Sequence, residues 1–411
     1  MEMNMGEFDA ALKEHYTDER IYNMVYANNP LLALMPKYEQ FGGRNLPVPI
    51  IFGNPQGRSA TFSTAKKNKT PSKITQFTLK RMKDYALASV DNETLEASRG
   101  NPNAFMEALA TEVDGSIQSA TRSLAIAMYG SGSGSIGKIK VSGFSVGGTT
   151  LTLDDTENIT NFEVGMTLAV SATNGGTATS VKAGVMKIVG VNRNTGVITM
   201  GETVDNADPL KGIAAIADGD YIFVEGDYDL RLSGLEAWLP SGTVSSDPFF
   251  GVNRTADVTR LAGQSINGSM LPIEEALIDG ITRASREGGN VSHIFLSFSK
   301  WGDLEKALGS KVTYVDVGAT ANIGFRGIML NGPKGPVRVI PDQNAPSNRA
   351  FGLQLDTWKC YSLGPAVKML MSDGNRILRE ADSDSVELRV GGYAQLGCRA
   401  PGFNFNLQLS S

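Results

Sequence analysis

The sequence predicts an α+β chain made of several parts, and three observations carry that prediction. The first is Asn103 to Tyr129, where Phe105, Leu109, Val113, Ile117, Leu124 and Met128 recur at steps of about four or seven residues. That spacing is one apolar stripe on a helix. The second is a long hairpin pattern between Tyr38 and Val90. The third is an abrupt change at Ile136, where short strands at regular spacing begin and continue to about Gly226, before an α/β alternation takes over.

Composition sets the frame. A chain of 411 residues is too long for one hydrophobic core and is expected to divide. Its 46 glycines exceed the usual rate of about 7% and point to many turns, hence to β-structure. A net charge of -5 and a pI near 5.3 argue against a protein that grips nucleic acid over a broad surface. No run of apolar residues is long enough to span a membrane, and the N-terminal residues carry neither the basic nor the apolar region of a secretory signal. The only cysteines are Cys360 and Cys398, so a free buried pair is expected rather than a disulfide framework or a zinc site.

Taken in order, residues 1 to 36 read as an arm. Thr17 is placed to cap a short helix carrying Ile21, Met24 and Val25, and Pro30 and Pro36 are expected to break the LLALM run. With so few apolar residues the arm must lie on something else. The hairpin follows, with limbs Arg44 to Phe52 and Lys73 to Val90; Phe77, Leu79, Tyr85 and Leu87 keep a period of two. Its tip, Gly53 to Ser72, holds Arg58, Lys66, Lys67 and Lys69. The lysines have no aromatic between them, which favours a solvated tip over a nucleic-acid patch. A two-stranded ribbon is marginal alone and is expected to pack on a neighbouring copy.

The helix is bounded by Asn101 and Pro102 before it and the GSGSG run from Gly130 to Gly134 after it. At 1.5 Å per residue it is roughly 40 Å long. Residues 136 to 226 read as a small β-barrel or sandwich inserted into the parent fold, with a hairpin turn at Asn194, Thr195 and Gly196. The chain then returns through LRLSGLEAWLP. A helix is predicted over Pro272 to Glu287, a buried strand over Val291 to Phe298, and a helix over Lys300 to Leu308 capped by Ser299. Strands are predicted at Val312 to Val317 and in a hairpin from Gly327 to Pro341, and β-structure again from Ala350 almost to the C-terminus.

Several catalytic signatures match by letter and fail in context. Gly132, Gly137 and Lys138 fit a P-loop, but Ile139 stands where a hydroxyl is needed and the run leads from helix to strand, the reverse of the required order. Gly132, Gly134 and Gly137 fit a dinucleotide fingerprint with the same fault. Ser145 lies in a G-x-S-x-G run followed by a strand, where a nucleophile elbow needs a helix. His293 sits within a strand and reads as a core side chain. Asp218, Asp220, Glu225, Asp227 and Asp229 lack EF-hand spacing and read as surface charge. No catalytic, cofactor-binding or metal-binding residues are expected.

The order of arm, long hairpin, spine helix, inserted β-domain, α/β lobe and closing strands resembles the major capsid protein of tailed double-stranded DNA bacteriophages, the Hong-Kong-ninety-seven fold. Local wording adds to the resemblance: AMYGSGSG after the spine, SGLEAWLP at 233 to 240, GPVRVIPDQNAP at 335 to 346 and GYAQLGCRAPGFNFNL at 392 to 407. The resemblance implies an N-terminal arm at 1–36, an extended loop at 37–83, and a peripheral domain with the spine helix at 84–135. It further implies the inserted β-domain at 136–226, a return to the peripheral domain at 227–254, an axial domain at 255–365 and closing peripheral strands at 366–411. The loop-tip residues Arg58, Lys66, Lys67 and Lys69 would then meet a neighbouring subunit, and the stripe from Phe105 to Met128 would define the spine, with GSGSG as the flexible hinge of the inserted domain.

The same resemblance implies a non-enzymatic shell protein that assembles with itself into pentamers and hexamers, in the host bacterial cytoplasm, and resides in the virion. Its implied partners are a portal protein, a decoration protein and packaged DNA held without sequence-specific contacts, with no membrane. Relatives that fuse a scaffolding segment carry a longer N-terminal extension, so a separate scaffolding protein is expected here. Asp382 to Arg389 holds no asparagine, so the lysine–asparagine cross-link of some relatives is not expected. Two other readings remain: an encapsulin-type compartment shell, and a surface carbohydrate-binding β-rich protein suggested by the Gly/Thr-rich insertion.

Overall fold

Three separate hydrophobic cores organise the chain, as its length requires. The computed structural model describes residues 18–91, 102–176, 180–204, 212–309, 314–320, 323–371, 377–380 and 383–410. The first described segment comprises α1 (Asp18–Tyr26), α2 (Pro30–Leu34), β1 (Lys37–Tyr38), β2 (Asn45–Gly53), α3 (Phe62–Lys67), β3 (Lys73–Lys80) and β4 (Met82–Asp91). The long helix α4 (Pro102–Tyr129) follows.

The inserted segment contains β5 (Ser135–Phe144), β6 (Thr150–Leu153), β7 (Thr167–Ser171), β8 (Met186–Asn192), β9 (Val197–Met200), β10 (Thr203–Val204), β11 (Gly212–Ile213) and β12 (Tyr221–Val224). Then come α5 (Leu235–Trp238), α6 (Val258–Ala262), β13 (Gln264–Asn267), α7 (Ile273–Arg286), β14 (His293–Leu296) and α8 (Phe298–Leu308). The remaining strands are β15 (Tyr314–Thr320), β16 (Ile323–Gly332), β17 (Gly335–Pro341), β18 (Arg349–Leu353), β19 (Trp358–Ser362), β20 (Lys368–Met369), β21 (Ile377–Arg379), β22 (Ser385–Cys398) and β23 (Phe405–Gln408).

The largest core lies between α4 and a sheet centred on β22. β22 pairs with β19, β20 and β21, and antiparallel with β4 from Ser385↔Asp91 to Ala394↔Met82. On α4, Val113, Ile117, Leu124 and Met128 are buried in this core. The side chains of Phe105 and Leu109 lie outside the described residues. Two polar residues on the buried side satisfy their hydroxyls within the helix, Ser116 to the Glu112 carbonyl at 3.0 Å and Thr121 to the Ile117 carbonyl at 2.7 Å.

The start of the described chain lies on the subunit's own body. Thr17 lies outside the described residues, but Val25, Leu31, Leu32 and Met35 are each 1% exposed and belong to the same core as α4. Pro30 opens α2 as its first residue instead of breaking it, because the missing N–H of proline costs nothing in a first turn. β1 then pairs parallel with β19. Ile21, Val25, Leu31, Leu32 and Met35 thus belong to the subunit's own core.

The predicted hairpin limb Lys73 to Val90 is two strands. β3 pairs with β2, β4 pairs with β22, and the register changes hands at Arg81. The Arg81 guanidinium donates to the Phe41 carbonyl and sits 5.0 Å from the Phe41 ring centroid, fixing the corner. Pro47 and Pro49 are tolerated in β2 because it is an edge strand, paired among the described residues with β3 alone.

The insertion is a closed six-stranded barrel in the order β12-β5-β6-β9-β8-β7. Ile139, Leu151, Phe162, Val170, Ile188 and Ile222 fill it. Gly196, with φ 68°, makes the β8–β9 turn.

The third core lies in a seven-stranded sheet, β13-β23-β18-β14-β17-β16-β15, covered by α7 and α8. Three sequence expectations fail here. Helix α8 is capped by Ser297, whose hydroxyl accepts the Lys300 amide, and not by Ser299. The last strand, β23, does not close the sheet around β22; it lies between β13 and β18. β19, grouped by sequence with the α/β lobe, sits beside β22 instead. Alternation along FNFNLQL specifies a strand but not the sheet it joins.

Candidate assembly surfaces

The hairpin of β2 and β3 has a fixed root and an exposed outer half. At the root Val48, Ile50, Phe77 and Leu79 are buried. Phe77 meets Trp238 edge-on with centroids 4.9 Å apart, Trp238 meets Phe249 at 5.1 Å, and the Arg254 guanidinium lies 4.1 Å over the Phe249 ring. The Thr78 amide donates to the Phe250 carbonyl at 2.9 Å, and Arg260 donates to the Phe52 carbonyl at 2.8 Å.

Beyond Phe52 the ribbon is largely exposed among the described residues. Arg58, Lys66, Lys67 and Lys69 are all exposed, the lysines on or just after the short helix α3. Phe62, at the start of α3, is 84% exposed, and the cross-strand pair Ile51 and Ile74 are 64% and 63% exposed. Sequence reasoning singled out the tip's cations and passed over these three apolar side chains, although their exposure is the informative departure from normal burial.

The joint between barrel and body is closely packed and does not fit the flexible hinge expected from GSGSG. The Asp229 amide donates to the Ser133 carbonyl at 2.7 Å and the Gly234 amide to the Gly130 carbonyl at 3.0 Å, so the two connections lie side by side. A Cβ on Gly134 would fall 2.5 Å from the Asp227 carbonyl oxygen, and one on Gly234 would fall 2.3 Å from that of Ala127. These glycines permit close approach of two backbones rather than motion. Arg231 locks the joint with bonds of 2.7 and 3.0 Å to the two carboxylate oxygens of Asp84 on β4. Burial pulls the Arg231 guanidinium down, but Asp84 and then Asp227 more than offset it. On the far side, Glu163 of the barrel binds Arg122 of α4 at 2.9 Å and Arg193 at 2.8 Å.

A second junction ties three parts together at Asp342, just after β17. Its buried carboxylate accepts the Tyr129 hydroxyl from the end of α4 at 2.9 Å and the Leu31 amide of α2 at 3.2 Å. Asn344 donates to it and also to Asn29. Burial pushes the Asp342 carboxyl above its usual range and the Tyr129 phenol well above its own. No local sequence signal marks Asp342 or Arg231, because Tyr129 and Leu31 for the one and Asp84 for the other lie far along the chain.

The letter-matched motifs are dispersed. Gly132 and Gly134 lead into β5, and Gly137 and Lys138 lie within it. Ser145 is exposed in the turn between β5 and β6. His293 is buried on β14 of the seven-stranded sheet; its Nδ1 lies 2.9 Å from the Ser292 hydroxyl, and burial, with Arg338, lowers its pKa to about 4. The carboxylates of the 218–229 stretch are used locally: Asp220 pairs with Lys182, Asp227 lies 3.7 Å from Arg231, and Asp229 accepts the Gly176 amide at 2.8 Å. Among the described residues no group of three or more His, Cys, Asp or Glu is placed to hold a metal ion. No helix among them is long and apolar enough to cross a membrane. Cys360 and Cys398 are free and buried, and burial pushes each thiol up to about 12.

No protein-family model and no curated protein matches the sequence. Solved structures do. A chain of the capsid asymmetric unit of cyanophage A-1(L) superposes with a TM-score of 0.52 at 11% identity, covering 93% of each chain. Weaker likenesses, to which no weight is given, include the capsid of a native GTA particle (TM-score 0.44, 9% identity, 93% of this chain and 90% of that one) and Mycobacterium phage Ogopogo (0.42, 9%, 93% and 92%). Superposition over nearly the whole of both chains, with identity this low, is agreement in fold. The chain therefore has the tailed-phage capsid fold, with a small closed barrel set into it.

Proposed function

We propose that the chain is the major capsid protein of a tailed bacteriophage, the repeating subunit of an icosahedral shell around packaged double-stranded DNA. The observation that carries this reading is the hairpin: its root is held by the aromatic cluster around Trp238, while Ile51, Phe62 and Ile74 are exposed together on its outer half. Such a ribbon is stabilised when a second copy buries it, which makes association part of the fold's completion. The full-length likeness in fold to a cyanophage capsid chain supports the same reading. On it, the subunit resides in the virion, assembles in the host bacterial cytoplasm, acts without catalysis, and works with a scaffolding protein, a portal and a decoration protein.

Limited proteolysis tests it. Cleavage between Gly53 and Ser72 is expected in dispersed subunits and should disappear in sedimentable assemblies. Equal cleavage in both states would contradict a hairpin covered by neighbours.

A further inference from the structure

An asparagine followed by glycine is open to a spontaneous reaction, because no side chain shields the glycine amide nitrogen from the asparagine side-chain carbon. The chain has three such pairs, Asn174-Gly175, Asn267-Gly268 and Asn331-Gly332. The fold holds two of them away from reaction. The Gly268 amide donates to the Gln408 carbonyl at 2.8 Å, and Asn267 Oδ1 is taken by the Ser269 amide and hydroxyl. Asn331 and Gly332 sit in the β16–β17 ladder opposite Pro336 and Gly335, and a Cβ on Gly332 would fall 2.8 Å from the Ile281 side chain. The third pair lies in the turn after β7, where Asn174 is exposed, Gly175 has φ 89° and its amide has no acceptor among the described residues.

The turn around Asn174 is set up for attack on its side chain. The Ser133 hydroxyl donates to Asn174 Oδ1 at 2.5 Å and stands 2.9 Å from the Ser131 hydroxyl, which completes a chain of donors. Such a donor draws charge from the carbonyl carbon and steadies the oxyanion that forms there. We infer that Asn174 is a self-modification site activated by Ser133, and that its conversion loosens the joint between barrel and body. The Gly175 amide nitrogen gives its proton to water and bonds to Asn174 Cγ; the Cγ–Nδ2 bond breaks and ammonia leaves, which closes a succinimide. Water then opens one of the two ring carbonyls to leave aspartate or isoaspartate, so no oxidant, enzyme or partner is required. The product forms against the joint. Asp229 Oδ2 accepts the Gly176 amide at 2.8 Å, a Cβ on Gly175 would fall 2.6 Å from Asp229 Oδ1, and the Asp229 amide donates to the Ser133 carbonyl at 2.7 Å. A second carboxylate beside Asp229 repels it, and an isoaspartate lengthens the backbone of the turn by a carbon. Nothing in this chemistry requires assembly.

The test follows the full chain at about pH 8.5 and about 37 °C by peptide mass spectrometry, which reads each conversion as a gain of about 1 Da, with isoaspartate counted by methyltransferase labelling. In the folded chain Asn174 should convert at least about tenfold faster than Asn267 or Asn331, whose glycines must first leave their backbone hydrogen bonds. In urea the three rates should converge. Ser133→Ala, with its folding checked by thermal midpoint, should slow Asn174 several-fold, less than loss of a buried oxyanion donor because the turn is exposed. Asn174→Asp installs the charge of the product and should raise amide hydrogen exchange at Gly176 and Asp229. A rate at Asn174 no higher than at the other two pairs, or the same ranking in urea, would overturn the site. A Ser133→Ala rate equal to or above that of the wild type would overturn the activation by Ser133. Unchanged exchange at Gly176 and Asp229 in Asn174→Asp would overturn the loosening of the joint.

Discussion

The Tyr129 hydroxyl donates to the buried Asp342 carboxylate at 2.9 Å, joining the end of the long helix to the end of β17 in the seven-stranded sheet. Because Asp342 also accepts the Leu31 amide and two donors of Asn344, one carboxylate holds three parts of the subunit in register. Asp342→Ala removes an acceptor from several buried donors and should cost about 3 kcal/mol, whereas Tyr129→Phe should cost about 1 kcal/mol. Chemical denaturation of the dispersed subunit measures both, and a smaller loss for Asp342→Ala than for Tyr129→Phe would contradict this role.

The barrel joint should be intolerant of side chains at its glycines. Gly234→Ala places a methyl group 2.3 Å from the Ala127 carbonyl oxygen, so the returning chain before α5 must shift, at a cost of about 3 kcal/mol. Gly147, in an open turn with φ 77°, gives the comparison: alanine there should cost about 1 kcal/mol. Equal thermal shifts for the two variants would restore the flexible hinge.

Arg231→Met should be more damaging than Asp84→Asn. The first leaves the Asp84 and Asp227 carboxylates facing each other without a cation, and the second keeps a neutral acceptor for Arg231. Burial already raises the Asp227 carboxyl, with Arg231 opposing and Asp84 adding to that rise. A loss of about 3 to 5 kcal/mol is expected for Arg231→Met, read from the denaturation midpoint.

Stability should also carry a signature of His293. Burial, then Arg338, lowers its pKa in the folded chain to about 4 from 6.5. The unfolded chain therefore binds the extra proton first as pH falls. The contribution is fully present above about pH 6.5 and is lost progressively as pH drops toward 4. His293→Gln should flatten the difference in denaturation midpoint between pH 7 and pH 4.5 relative to the wild type. An unchanged slope would mean that the imidazole charges without penalty.

Much of the architecture was legible because it is written in local periodicity. The stripe Val113, Ile117, Leu124, Met128 specifies both the long helix and the face it buries, and the strand spacing from Ile136 to Gly226 specifies a small β unit that proves to be a closed barrel. What was not legible depends on distant partners. The fate of Val25 and Leu31 follows from the core they share with α4, which no neighbouring residue announces. The handover at Arg81 follows from Phe41. The placement of β23 follows from Asn404, whose side chain accepts from Trp358 at 2.8 Å and from the Gln354 amide at 2.7 Å as the chain crosses between sheets. The GSGSG run shows the same limit: glycine permits both flexibility and close approach, and only the position of Asp227 and Ser233 decides between them.

The central claim, that this chain is a shell subunit, is tested most directly by electron microscopy of the expressed protein with and without a scaffolding partner. The account predicts closed icosahedral particles whose wall is built from this chain, with the β2–β3 hairpin of each copy lying on another. Persistent monomers under all conditions, with the hairpin tip resistant to protease in the isolated subunit, would contradict it.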